Sequence, residues 1–138
     1  MAPRLTDLAL AAFRLAVAGR ALDALGVLER IARRPDGADE LWFVCWAWAR
    51  MAGAELDALS AAVVSGALDP TALSEDGRED AVTLLVAARH GHVELARVLW
   101  DLMDWDRRAE ASFALLAFAA CVAHRQMESS RRNISEAG

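Results

Sequence analysis

Apolar side chains recur every three to four residues along most of this chain, and glycine or proline separates the segments. This spacing is typical of helices that bury one face. It predicts an all-α protein with helices over about 4–18, 20–34, 39–53, 55–67, 93–105 and 107–127, and with a helix that follows a polar connector at 71–78 and ends near residue 90. Residues 128–138 are small and polar, and they are predicted to be a flexible tail outside a single domain at 1–127.

Three glycines mark the turns between paired helices. Gly19, Gly53 and Gly91 are 34 and 38 residues apart, within the period of repeats built from two helices. An alanine follows each glycine five residues later, where a small side chain lets the second helix approach the first. The spacings predict hairpin units at about 4–34, 38–68 and 75–105.

The middle unit carries four residues of a known pattern: Trp42, Gly53, Ala58 and Pro70. With them, this unit resembles a tetratricopeptide repeat, and weaker matches extend the resemblance over about 5–108. The resemblance implies three stacked antiparallel helical hairpins, a right-handed α-solenoid. The last predicted helix, 107–127, then becomes a C-terminal capping helix.

A weaker resemblance to the ankyrin repeat lies at residues 87–95, with the sequence AARHGHVEL. The threonine and proline of that family are absent before it, and the first helices of the other units are too long for it. Both families consist of stacked helix pairs, so both imply the same architecture.

The composition supports helices and excludes a disordered chain. Alanine (31 residues) and leucine (19) are strong helix formers, and 56% of all residues are hydrophobic. The two cysteines, Cys45 and Cys121, lie in apolar runs and are expected to be free thiols rather than a disulfide. The longest apolar run, 111–123, is too short to cross a bilayer, so we expect a cytoplasmic protein without a membrane segment.

Charge is distributed unevenly along the chain. The net charge is −5, residues 1–34 carry +3, and residues 35–110 carry −9. An acidic chain is a poor match for a phosphate backbone, which argues against nucleic acid as the partner.

No catalytic motif stands out in the sequence. It has no glycine-rich phosphate loop and no nucleophile elbow, and no histidine pairs with a serine or cysteine at a suggestive spacing. His90 and His92 are interpreted as exposed turn residues and the acidic clusters as solvated surface, although the sequence leaves open whether they bind a metal. We therefore expect a protein that is not an enzyme and has no cofactor.

Stacked hairpins, as the resemblance implies, would form a concave groove lined by the first helix of each unit. The candidate partner-binding residues in this groove are Phe13, Val17, Phe43, Ala47, Arg50, Met51, Leu85 and Arg89. Its floor is apolar, and two guanidinium groups at its edge could bind a carboxylate. The last helix or a second subunit could instead fill the groove.

These features predict a non-catalytic adaptor that binds a segment of another protein or a peptide. The first alternative is a structural subunit that self-associates, as a homo-oligomer, through residues 113–122 of the last helix. The second is a small regulator that binds an apolar ligand in a cavity lined by tryptophan or phenylalanine.

Overall fold

The computed structural model describes residues 3–55 and 75–137. Its described residues form six helices: α1 (Leu5–Val17), α2 (Ala21–Ala32), α3 (Gly37–Gly53), α4 (Glu75–Arg89), α5 (Val93–Leu102) and α6 (Trp105–Ala137). The all-α class predicted from the apolar spacing is confirmed. Apart from Glu55, the predicted helix over 55–67 lies outside the described residues, as do Ala58 and Pro70.

Two helical hairpins turn at glycines with left-handed backbone. Gly19 has a φ of +79° and Gly91 a φ of +72°, a region that other residues rarely adopt. The residue after each glycine donates its backbone N–H to a carbonyl five residues earlier, at 2.8 Å for Arg20 and 2.9 Å for His92. Both turns are thus the Schellman ends expected after α1 and α4.

The two hairpins pack tightly because small residues lie between their helices. α1 packs against α2, and α4 packs against α5. Ala24 and Ala96, each five residues after a turn glycine, are completely buried. The third alanine of this pattern, Ala58, lies outside the described residues.

The last helix, α6, lies at the centre of the protein. It packs against α1, α2, α3 and α4, and it buries most of its apolar middle: Ala111, Ser112, Ala114, Leu115, Leu116, Phe118, Ala119, Ala120 and Val122. A helix that is apolar on all sides needs neighbours on all sides. The structure therefore differs from the predicted cap: α6 forms the core, and it continues to Ala137 instead of ending near Met127.

Gly53, predicted as a turn glycine, has a different role. It is the buried last residue of α3, and a Cβ atom there would lie 2.8 Å from the backbone carbonyl oxygen of Leu85 in α4. The glycine is thus required by the close approach of two helices. By contrast, a Cβ atom on Gly26, exposed in α2, would meet no atom within 4 Å.

We expect Gly53→Ala to lower the free energy of unfolding by about 1–3 kcal/mol, because the backbone of α4 must move away. The matched control is Gly26→Ala, which should raise it by about 0.5–1 kcal/mol through helix propensity alone. Urea unfolding of dilute protein measures both. Equal stability of Gly53→Ala and the wild type would contradict the close contact between α3 and α4.

Candidate interaction surface

The groove residues predicted on α3 lie on its outer side. Phe43, Ala47 and Arg50 are exposed, with 65% of Phe43 accessible to solvent, and Met51 lies at their edge with 36% accessible. The opposite side of α3 faces the core through Cys45, whose sulfur contacts Ser112 of α6. The sequence analysis therefore identified a face of α3 that is exposed. The last helix, α6, does not cover this face.

The remaining groove residues divide between core and surface. Leu85 is 1% exposed, and its side chain is therefore not available to a partner. Phe13 and Val17 are half-buried and Arg89 is exposed. The Nε2 atom of His124 in α6 lies 2.9 Å from the carbonyl oxygen of Val17. Of the eight predicted residues, Leu85 is thus buried and the other seven are exposed or half-buried.

Helix α5 presents an apolar face to solvent that the sequence analysis did not identify. It buries Ala96 and Trp100. Its outer side carries the α5 stripe, defined as Leu95, Val98 and Leu102, which are 54%, 55% and 78% exposed. Spacings of three and four residues place these side chains on one face of the helix. Apolar side chains grouped in this way are typical of an interaction site.

The inner side of α5 is fixed by aromatic and charged contacts with α3. The ring centroid of Trp100 lies 5.8 Å from that of Trp42. The guanidinium of Arg97 lies 5.4 Å from the Trp42 ring centroid and donates to Asp39 at 2.8 Å and to Asp101 at 3.2 Å. These contacts hold the helix so that its apolar stripe points away from the core.

Asp39 illustrates a long-range contact that the sequence did not reveal. It lies in the first turn of α3, which begins at Gly37. Its carboxylate accepts a hydrogen bond from Arg97.

A cleft of about 240 Å³ opens at the C-terminal end of the α5 stripe. It is lined by Asp80, Thr83, Leu84, Leu99, Leu102, Met103 and Arg107. Arg107 donates to both carboxylate oxygens of Asp80, at 2.8 and 3.1 Å, and this hydrogen bonding raises the pKa of the guanidinium. The cleft is smaller than most small-molecule sites, which measure about 300–1,000 Å³.

The surroundings of the stripe are acidic. Residues 75–110 carry nine acidic and five basic side chains. Three exposed carboxylates, Asp101, Asp104 and Asp106, lie at or after the end of α5. An apolar stripe with this border favours a partner whose apolar residues are flanked by cations.

Buried Cys45 is a structural thiol. Its sulfur donates to the Ser112 hydroxyl at 3.2 Å, and that hydroxyl donates to the Arg108 carbonyl oxygen at 2.6 Å. Burial raises the pKa of the Cys45 thiol to about 12, although the hydrogen bond with Ser112 lowers it. Burial also raises the pKa of Cys121. A thiol with so high a pKa is a poor nucleophile at neutral pH.

The histidines and acidic residues are not assembled into a metal site in the described part of the chain. Among residues 3–55 and 75–137, no three His, Cys, Asp or Glu side chains are placed to hold one ion. The rings of His90 and His92 are 5.9 Å apart at the exposed turn between α4 and α5.

The comparisons with family models, curated proteins and solved structures found no match to this chain.

No helix in the described ranges is both long and apolar enough to span a membrane.

We expect the unfolding free energy to fall between pH 9 and 12, because Cys45 ionises near pH 9 when unfolded but near pH 12 when folded. The folded state favours the protonated thiol, so the stabilisation is complete below pH 9 and is lost as pH rises, by about 1 kcal/mol per unit. The chain has no lysine or tyrosine, so the cysteines dominate this range.

The test is urea unfolding at successive pH values. Cys45→Ala should have a flatter pH profile, whatever its stability at pH 7, whereas Cys121→Ala should change the slope less. An unchanged slope in Cys45→Ala would show that the thiol is not buried as described.

Proposed function

We propose that this chain is a non-catalytic interaction module that binds an amphipathic helix of another protein across the α5 stripe. The observation that carries this proposal is the arrangement of α5, which buries Ala96 and Trp100 and leaves Leu95, Val98 and Leu102 in water. Removing such apolar area from water contributes about 25 cal/mol per Å². A partner helix bound across the α5 stripe would remove this apolar area from water.

The cleft and the acidic border define the partner further. A helix lying along α5 would place apolar residues at successive turns on the stripe, and one of them would enter the cleft over Leu84 and Met103. Arginine or lysine beside those apolar residues would face Asp104 and Asp106, which are exposed. The partner is therefore a basic amphipathic helix.

The three-hairpin solenoid implied by the tetratricopeptide resemblance belongs to the same proposal. The pairing of α1 with α2 and of α4 with α5 supports it. Since α6 packs against α1, α3 and α4, the binding surface moves from the expected groove to the outer side of the last hairpin. The cytoplasmic location expected from the sequence is also part of the proposal, and the free thiols of Cys45 and Cys121 suit a reducing compartment.

The test is selection from a displayed library of helical peptides, with the whole chain as bait. We expect the selected peptides to carry apolar residues three and four apart, flanked by arginine or lysine. Leu102→Asp should weaken their binding about tenfold or more, because it places a charge in the apolar contact. Phe43→Ser, on the exposed face of α3, is the matched control and should bind normally. Fluorescence anisotropy measures the Kd.

Two outcomes would contradict the proposal. One is that the library yields no binding peptide. The other is that Phe43→Ser abolishes binding while Leu102→Asp leaves it intact, which would assign the site to α3 instead.

A further inference from the structure

We draw no further inference here: the strongest candidate, the cleft between α4, α5 and the start of α6, belongs to the surface already proposed to bind a partner helix, and its charged side chains, Asp80 and Arg107, are paired with each other and select no ligand of their own.

Discussion

The apolar middle of α6 is buried on every side except the one formed by half-buried Phe113, Ala117 and Cys121, and the positions of the other helices follow from this constraint. Leu115, Leu116 and Phe118 are at most 2% exposed, and alanines between them let neighbouring helices approach closely. α1, α3 and α4 each contribute one face to cover it. These helices therefore pack around the last helix, whereas Phe43, Ala47 and Arg50 of α3, which were expected to line a concave groove, remain exposed.

This arrangement also explains why α5 retains an apolar outer face. α5 packs against α4 and reaches α3 through the contact of Trp100 with Trp42. Both of these helices lie on the inner side of α5, and Leu95, Val98 and Leu102 on its outer side are exposed. One packing arrangement therefore produces both features. α6 occupies the centre and forms the core, and α5 lies at the edge, where its outer face is the proposed binding surface.

The sequence predicted those features that depend on local interactions. The hairpin turns at Gly19 and Gly91 could be read from the glycines and the apolar spacing, because a left-handed turn and a helix period are local properties. The central role of α6 could not be predicted from the sequence, because an apolar run shows that a helix is buried but not which helices bury it. The same limit applies to Leu85, which is buried, and to Asp39, whose carboxylate is bound by Arg97 from 58 residues away.

The α5 stripe had a signal in the sequence, but an ambiguous one. Residues 93–102 are apolar on two sides, with Ala96 and Trp100 on one and Leu95, Val98 and Leu102 on the other. Spacing alone cannot say which side faces the core. The contacts of Arg97 and Trp100 with Trp42 decide it, and those contacts depend on the tertiary structure.

Hydrogen–deuterium exchange of the native chain tests the central position of α6 most directly. Amides of residues 111–122 should exchange more slowly than any others and only through global unfolding, because every neighbouring helix must leave before they reach water. If α6 were a peripheral cap, residues 111–122 would exchange by local opening while the amides of α1, α2, α4 and α5 stayed protected. That result would contradict this account of the fold.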